Sequence, residues 1–318
     1  MGSAGSVLGI TGAFGYIGQR LLERLNRADD FERVICIDIR PPPKKLPARF
    51  EFFHCDIRDM ERLFRIFQET AVQSVAHFAF IAEPTRDPSF EYDVDVGGTE
   101  NVLTVCDRLR IGKLVVASSD CAYGFFEGTP DYLVEDAPIR PTPGFPYAEN
   151  KAEIENRVAE FAGSHPDCSV VVLRPCMVMG PNADNVTSRS MKGPLIVGFR
   201  GCDPVMQFVH EDDAAEAFYK ALVLPVSGSF NLAADAGIPY RLLAKTLKKP
   251  FLALPAWVVY PLVEALYRFR LMPFGKAQLS YIRYPLSMDV EKIKTELDFI
   301  PRYSSVETVE SFLNSEKR

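Results

Sequence analysis

Short apolar runs alternate with amphipathic segments along most of this chain of 318 residues. The apolar runs are rich in Val, Ile and Phe, whereas the segments between them repeat apolar residues at the i, i+3, i+4 spacing of a helix. Strands that are apolar on both faces and separated by helices belong to a parallel sheet covered by helices on both sides. The pattern predicts strands over residues 7–11, 34–38, 51–54, 75–78, 114–118, 170–174 and 230–232, and helices over 15–26, 59–70, 98–110, 147–162 and 211–223.

A glycine-rich turn follows the first predicted strand and opens the first predicted helix. Its glycines are Gly12, Gly15 and Gly18. Glycine permits a tight turn and lets backbone N–H groups approach a pyrophosphate, and the helix N-terminus favours negative charge. Spaced glycines alone are weak support, but their position between strand and helix predicts a dinucleotide site.

A carboxylate, Asp38, ends the second predicted strand at the distance where such folds bind the adenosine ribose. Because it would repel a 2′-phosphate, it favours NAD over NADP, although Arg40 and Lys44 nearby leave NADP open. Asp56 and Ile57, after the third strand, are expected to flank the adenine. Asp56 is alternatively the N-cap of the helix that begins near residue 59.

The pattern changes after the sixth strand. Residues 176–206 are predicted to be loops, punctuated by Gly-Pro and Asp-Pro pairs, and short helices are expected over 240–247, 256–268, 290–297 and 306–315. We therefore predict an α/β fold, a Rossmann-like doubly wound parallel sheet with a smaller, mostly helical C-terminal substrate lobe. The NAD-binding domain would comprise residues 1–175, with 207–235 returning to it, and the lobe 176–206 and 236–318.

Composition excludes several classes of protein. The net charge is −6 and basic residues are scattered, so no nucleic-acid partner is expected. The seven cysteines lack a C-x-x-C pair and no two histidines have metal-ligand spacing, which indicates reduced thiols, a cytoplasmic location and no metal site. The first six residues lack the shape of a signal peptide. The apolar stretch 251–267 contains Pro255 and Glu264, so it is too interrupted to span a membrane and is predicted to be a buried or substrate-lining helix.

The catalytic signal is Tyr147 with Lys151, four residues apart on a predicted helix and therefore on one face. A nearby ammonium stabilises a phenolate, so we expect a lowered Tyr147 pKa and a tyrosine usable as acid or base. Such a pair is common by chance. Here Ser119 follows the fifth predicted strand, and its hydroxyl is placed to hold the substrate oxygen.

These motifs occur in a familiar order. They are Thr-Gly-x-x-Gly-x-x-Gly at 11–18, Asp38, Asp-Ile-Arg-Asp at 56–59, His-Phe-Ala at 77–79, Gly-Thr-x-Asn-Val at 98–102, Ser-Ser-x-x-x-Tyr-Gly at 118–124, Tyr147-x-x-x-Lys151, Leu-Arg-Pro at 173–175 and Phe-Val-His-x-x-Asp at 208–213. With them the chain resembles the extended short-chain dehydrogenase/reductase family, of the NAD-dependent epimerase/dehydratase type. No motif of this kind follows residue 235.

The resemblance implies a role for each site residue. Tyr147 would be the general acid/base, Lys151 its pKa-lowering partner and a ligand of the nicotinamide ribose, and Ser119 the group that polarises the reacting oxygen. Pro175 and its neighbours would contact the nicotinamide end. The family allows a homodimer, and His210 is expected to be structural. The residues expected to bind NAD are Gly12, Phe14, Gly15, Tyr16, Ile17, Asp38, Asp56, Ile57, Phe78, Ala79, Tyr147, Lys151 and Pro175.

Departures from the family pattern concern the substrate. Met177 and Met206 occupy positions where members acting on nucleotide sugars carry Asn and Arg, and a thioether cannot bind phosphate oxygens. This weakens a nucleotide-sugar substrate, although Arg189, Lys192 and Arg200 are alternatives in the lobe.

Two further departures involve carboxylates. Dehydratases of the family have Asp-Glu where this chain has Asp120 and Cys121, so water elimination is disfavoured and Asp120 alternatively caps a loop. Asp95 replaces a common Asn, and we expect a changed local hydrogen bond without loss of function.

Three functions remain open. The first is an NAD-dependent oxidoreductase acting at a secondary alcohol or ketone of a fairly apolar small molecule. The second is an NAD-dependent sugar or nucleotide-sugar epimerase that keeps its cofactor tightly bound. The third is a non-catalytic dinucleotide-binding protein, which the intact Ser119, Tyr147 and Lys151 disfavour.

Overall fold

The computed structural model describes residues 6–315, and a seven-stranded sheet forms its centre. The order of strands is β11-β6-β5-β4-β1-β2-β3, and every neighbouring pair is parallel. The predicted Rossmann-like doubly wound sheet is confirmed. The strands of the chain are β1 Val7–Thr11, β2 Arg33–Asp38, β3 Phe50–His54, β4 Ser74–His77, β5 Lys113–Ala117, β6 Ser169–Pro175, β7 Met177–Met179, β8 Ile196–Phe199, β9 Val205–Met206, β10 Phe208–His210, β11 Gly228–Leu232, β12 Ile238–Pro239 and β13 Phe251–Leu254.

Helices cover both faces of this sheet and form much of the second half. They are α1 Tyr16–Leu25, α2 Met60–Thr70, α3 Pro88–Tyr92, α4 Gly98–Leu109, α5 Pro146–Ser164, α6 Val186–Lys192, α7 Glu211–Val223, α8 Tyr240–Thr246, α9 Ala256–Arg268, α10 Glu291–Glu296 and α11 Ser305–Ser315. A π-helical turn, Asp93–Gly97, joins α3 to α4, and 3₁₀ turns form at Asp120–Tyr123 and Lys276–Ile282.

Side chains of the sheet alternate between two apolar cores, as the pleat requires. On β2, Val34 and Cys36 point into the core that contains α1 and α7, whereas Ile35 and Ile37 point into the core beneath α2, α4 and α5. Parallel strands have their carboxyl ends at one edge, so β1, β2, β4, β5 and β6 deliver the residues that follow them to the same side of the molecule.

The prediction of loops over residues 176–206 is wrong. This segment contains α6 and the strands β7, β8 and β9, which pair with β10, β13 and β12 respectively. The part of the chain predicted to form a mostly helical lobe is therefore not simply helical, because it also contains small two-stranded sheets. Their partners lie far along the chain, so no local periodicity announces them. The short α3, also not predicted, does carry a local signal, Asp87 as N-cap followed by Pro88.

Two expectations concern membranes and export. Among residues 6–315, no helix is long and apolar enough to cross a membrane, and the interrupted stretch 251–267 forms β13 and most of α9. Residues 1–5, for which no signal peptide was expected, lie outside the described residues.

Candidate active site

The glycine turn between β1 and α1 is closed against the carboxyl end of β4. Gly12 has a φ of +67°, and a Cβ there would lie 2.6 Å from the backbone nitrogen of Ala79 and from the carbonyl oxygen of Phe78. At Gly18, a Cβ would lie 2.5 Å from the Gly12 carbonyl oxygen. Both positions therefore require glycine. Because glycine has no side chain, the start of α1 and the end of β4 can pack closely against this turn.

The first turn of α1 keeps its backbone N–H groups accessible to a ligand. Gly15 is the N-cap residue, no side chain caps this end, and the first turn contains no acidic residue. Tyr16 and Ile17 begin the helix, and the Tyr16 hydroxyl donates to Glu211 of α7 at 2.6 Å. An uncapped helix N-terminus carries partial positive charge, which suits a phosphate group.

Asp38 lies buried at the end of β2, beside the glycine turn. One carboxylate oxygen accepts the N–H of Phe14 at 2.9 Å, and the other accepts the N–H of Arg40 at 2.9 Å. The Arg40 side chain also approaches Asp38, with Nε at 3.4 Å, whereas Lys44 pairs with Glu23 at 2.8 Å. The carboxylate is thus fixed in position, and only Arg40 of the two basic candidates contacts it.

Asp56 and Ile57 follow β3 at the same edge of the sheet. Arg58 donates to the Asp56 carboxylate at 2.7 Å, and this hydrogen bond lowers the Asp56 pKa despite partial burial. Ile57 is buried in the core beneath the sheet. The alternative role for Asp56 as a helix cap is wrong, because α2 is capped by the side chain of Asp59.

Ser119 lies directly after β5, where the chain leaves the sheet. Its side chain caps the 3₁₀ turn, accepting the N–H of Cys121 at 3.2 Å, and its hydroxyl donates to the Asp120 carboxylate at 3.0 Å. Burial raises the pKa of Asp120 to about 6, although these hydrogen bonds oppose the rise. The loop cap is therefore Ser119, and Asp120 is a buried carboxylate beside it.

Tyr147 and Lys151 lie on one face of the first turns of α5. The Tyr147 phenol lies close enough to the Ser119 hydroxyl for that hydroxyl to lower its pKa. The Lys151 ammonium donates to the carbonyl oxygen of Ala117 at 2.7 Å, lies 3.1 Å from the ring centroid of Phe80 and 5.7 Å from that of Tyr147. The fold therefore brings together the three side chains on which the catalytic prediction depends.

The pKa values of this group depart from the expectation. Burial raises the pKa of Tyr147, and the nearby Ser119 hydroxyl only partly offsets the rise. Burial also lowers the pKa of Lys151 to about 7, against the opposing effect of nearby carboxylates. The predicted lowering of the Tyr147 pKa by the lysine is thus wrong, because loss of water disfavours both the phenolate and the ammonium that would stabilise it.

Asp95 supplies a negative charge behind the lysine. It lies in the π-helical turn, fully buried, and accepts the N–H of Ile81 at 2.8 Å and the side-chain amide of Asn150 at 3.2 Å. Its charge raises the pKa of Lys151 against the effect of burial. The sequence reasoning did not find Phe80 or Asn150, although each directly adjoins a motif that it did use.

A buried ionic network holds the turn that carries Ser119. Arg174 of β6 binds Glu155 of α5 at 2.6 Å and the Tyr123 hydroxyl at 2.6 Å, and Tyr123 in turn donates to Asn231 of β11 at 2.8 Å. The hydroxyl of Ser118 also donates to Glu155. Because removing one member leaves an unpaired buried charge, this network fixes the turn between β5 and α5.

Segments that are distant along the chain meet beside Asp120. A cavity beside Asp120, with room for about one water molecule, is lined by Phe125, Met206, Gln207, Tyr281 and Leu286. The Tyr281 ring packs on Phe125 at 4.7 Å, and its burial among the site's acidic groups raises its pKa. Gln207 directs its amide to the backbone of Ala234 and Met288. Tyr281 was missed by sequence reasoning, since no motif surrounds it.

The two methionines and the basic candidates of the lobe have different surroundings. Met206 lines this cavity, whereas Met177 begins β7 and is half-buried. Arg189 forms ion pairs with Glu83 at 2.7 Å and with Asp184 at 3.0 Å. Its guanidinium is thus already engaged by carboxylates.

Two histidines of the motifs have structural contacts. His77 hydrogen-bonds Thr11 at 2.6 Å and Thr99 at 3.0 Å, and burial lowers its pKa to about 3. His210 stacks on Tyr303 at 3.9 Å and contacts the Ser311 hydroxyl at 3.1 Å. Neither has the position of a catalytic base.

Known proteins share this architecture over nearly the whole chain. An uncharacterised protein of Mycobacterium tuberculosis is 26% identical over 311 residues, covering 95% of this chain and 82% of its own. The UDP-glucose 4-epimerase of Thermotoga maritima, solved with UDP-glucose, superposes with a TM-score of 0.78 at 21% identity and 98% coverage of both chains. The UDP-glucose 4-epimerase of Thermus thermophilus, solved with NAD, gives 0.77 at 23% identity, covering 98% of this chain and 99% of its own.

The conserved sequence pattern of one family extends from β1 to the end of β11. It is the pattern of the NAD-dependent epimerase/dehydratase family, and it matches residues 8–233. That range contains the glycine turn, Asp38, Ser119, Tyr147 and Lys151. This chain therefore belongs to the NAD-dependent epimerase/dehydratase family and is an enzyme.

Proposed function

We propose that this enzyme interconverts a secondary alcohol and a ketone with NAD, and that Tyr147 exchanges the proton of the reacting hydroxyl. The observation that carries the proposal is the convergence of Ser119, Tyr147 and Lys151 beside the glycine turn. Each comes from a different part of the chain or a different turn of helix, and a purely structural role would not require a half-buried phenol beside a buried hydroxyl and a buried ammonium.

The residues around the glycine turn fit a dinucleotide. The required glycines at positions 12 and 18, the uncapped start of α1 and the fixed carboxylate of Asp38 provide a tight turn, partial positive charge and a hydroxyl acceptor. When bound, NAD supplies the carbon that accepts or returns the hydride and a positive charge at its nicotinamide ring. We propose that the cofactor is held by Gly12, Phe14, Gly15, Tyr16, Ile17, Asp38, Asp56, Ile57, Phe78, Ala79, Tyr147, Lys151 and Pro175.

The proton is handled by the chain's own groups. The Ser119 hydroxyl and the Tyr147 Oη bracket the substrate oxygen, and Tyr147 takes or returns its proton. The Lys151 ammonium, supported by the Asp95 charge, lowers the free energy of the transient phenolate. Proton transfer of this kind contributes about 10²–10⁴ in rate. The burial of these side chains keeps bulk water from competing for the same proton.

The substrate we favour is a mostly apolar alcohol. Met206, Phe125 and Leu286 line the cavity next to the reacting groups, and Arg189 is engaged by two carboxylates. Asp120 and Tyr281 add polar groups on one side, so a second hydroxyl or keto group on the substrate can be bound there.

A second candidate is epimerisation of a sugar or nucleotide sugar. It is supported by the family itself and by the similarity in fold to UDP-glucose 4-epimerases. In this reaction Tyr147 would return the proton to the same oxygen after the carbon had been reduced from its other face, with no net change in the oxidation state of the substrate.

The experiment that separates the two candidates uses the purified full chain with added NAD. Sterol, terpenoid and aromatic alcohols are tested for the appearance of NADH absorbance. UDP-sugars are tested by product analysis for an isomer that forms without net production of NADH. NADH formation that is lost in Tyr147→Phe supports the first candidate. Isomerisation without NADH supports the second, and activity retained in Tyr147→Phe would contradict both.

A further inference from the structure

An exposed apolar surface lies on the C-terminal lobe, outside the proposed reaction centre. Its members are the largest exposed hydrophobic side chains of α9 and the residues that follow it, Trp257, Leu262, Phe269 and Leu271, with exposures of 78%, 50%, 75% and 74%. We call these four residues the Trp257 surface. Isolated exposed leucines are ordinary, but a tryptophan, a phenylalanine and two leucines within one segment of 15 residues are not.

The lobe core explains why this surface is left uncovered. Val259 and Val263 of α9 are buried against Phe199 and Leu279, so one face of the helix anchors it to the lobe. The other face has no apolar neighbour among the described residues to cover Trp257 and Leu262. The surface is therefore a second apolar face on a helix that is already fixed in place.

Charge around the Trp257 surface is opposite to that of the whole chain. The segment that carries this surface, residues 256–276, contains three basic residues and one acidic residue, in a chain with a net charge of −6. Arg268 and Arg270 are exposed and alternate with Phe269 and Leu271. Aromatic and leucine side chains interleaved with arginine are typical of segments that lie in the headgroup region of a bilayer.

We propose that the Trp257 surface docks on an anionic phospholipid bilayer without spanning it. Anionic headgroups complement the basic residues, and the acyl boundary covers the apolar ones. A second copy of this chain would fit less well, because a two-fold interface brings the same surface together from both copies and so opposes Arg268 and Arg270 to their own equivalents.

The surface is connected to the reaction centre from two sides. After Leu271 the chain continues into the 3₁₀ turn Lys276–Ile282, which carries Tyr281 to the cavity beside Asp120. From the other side, Arg86 donates to the carbonyl oxygen of Met272 and lies 4.8 Å from the ring centroid of Tyr267. A docked bilayer would thus lie close to the segments that border the cavity, where an apolar substrate can enter from the lipid.

The test uses the fluorescence of Trp257, the only tryptophan of the chain. The full-length protein is mixed with vesicles of phosphatidylcholine containing about one third phosphatidylglycerol, and with vesicles of phosphatidylcholine alone. We expect a blue shift of the emission and co-sedimentation with the anionic vesicles only. The double variant Phe269→Ser/Leu271→Ser should partition about tenfold less, and Arg268→Gln/Arg270→Gln should lose the preference for anionic lipid.

The control is Ile300→Ser, which removes an equally exposed aliphatic side chain (70%) outside this surface and should bind vesicles as the unmodified chain does. Absence of a blue shift and of co-sedimentation would overturn the proposal. The proposal would also be overturned if vesicles remained unbound and the protein instead self-associated or captured an acidic protein, with this association abolished in Phe269→Ser/Leu271→Ser. Activity does not enter this test, so its outcome is independent of the reaction proposed above.

Discussion

The two halves of the candidate site are built in different ways. The proposed cofactor side consists of the glycine turn and Asp38, which are close in sequence and joined within one β-α-β unit by the hydrogen bond from the Phe14 N–H to the Asp38 carboxylate. The substrate side consists of Asp120, Met206 and Tyr281, each from a different segment. The first half is a local motif, whereas the second exists only after the lobe has packed against the sheet.

We expect this difference to separate the residues that carry out the reaction from those that select the substrate. The glycine turn and the Ser119, Tyr147 and Lys151 group follow strands of the central sheet or lie on helices packed against it, so the sheet fixes their geometry. Met206 belongs to the short strand β9 and Tyr281 to a 3₁₀ turn, both outside the glycine turn, so we expect substitutions there to change substrate choice without changing cofactor binding. Variants in the first half should abolish function, and those in the second should redirect it.

The largest effect is expected for Tyr147→Phe. It removes the Oη that we propose exchanges the proton and retains the ring, so kcat should fall by about 10²–10⁴ while the affinity for NAD changes little. Steady-state kinetics and NAD titration measure the two quantities. Tyr219→Phe, on α7, is the matched control and should keep full activity. An active Tyr147→Phe enzyme would contradict the proposal that Tyr147 exchanges the proton of the reacting hydroxyl.

A backbone effect should follow for Gly12→Ala. The new Cβ would face the backbone of Phe78 and Ala79 at 2.6 Å in a left-handed conformation, which we expect to cost about 2–4 kcal/mol and to abolish NAD binding. Denaturant unfolding and NAD titration test this. Gly163→Ala on α5, where a Cβ meets nothing within 4 Å, should be stabilising by about 0.5–1 kcal/mol. Equal effects at both positions would contradict the assigned role of the turn.

Asp120 lies between the two halves of the site, and the Asp120→Asn variant tests how its ionisation affects the stability of the fold at different pH values. The folded-state pKa of Asp120 is raised to about 6, so its contribution to stability is complete below the unfolded value near 3.8 and is lost as pH rises through about 6. The variant should therefore be more stable than the unmodified chain at about pH 7.5, by up to about 3 kcal/mol, with the gain vanishing near pH 4. Urea unfolding across this range measures it, with the exposed Asp29→Asn as control. A gain independent of pH would show that ionisation of Asp120 is not its cause.

The smallest effect is expected on the substrate side, for Tyr281→Phe. The ring that packs on Phe125 is retained and only the hydroxyl is lost, so kcat/KM should change by about three- to tenfold, most for substrates with a second polar group. NAD affinity should stay the same. Comparison of two substrates that differ in one hydroxyl provides the measurement, and Tyr284→Phe is the control. A loss of NAD affinity would contradict the assignment of Tyr281 to the substrate side of the site.

Prediction from sequence followed the same division. The sheet strands and their helices were located to within about two residues, because buried strands and amphipathic helices are periodic over short distances. The loops predicted for residues 176–206 were wrong, since β7, β8 and β9 depend on partners elsewhere in the chain. Ser119, Tyr147 and Lys151 were predicted to meet; the structure places the Lys151 ammonium 5.7 Å from the Tyr147 ring centroid and the Ser119 hydroxyl near its phenol, and their catalytic roles stay predictions. The direction of the Tyr147 pKa was predicted wrongly, since burial outweighs a nearby lysine whose own charge is disfavoured.

What the amino-acid sequence alone determined is the parallel sheet, the glycine turn after its first strand and the membership of an NAD-dependent family, all of which depend on contiguous residues. Tertiary structure decided the cavity beside Asp120, the approach of Tyr281 and the exposure of the Trp257 surface. The physical reason is that these features depend on contacts between distant segments and on which side chains lose water. Neither can be predicted from the spacing of residues within one segment.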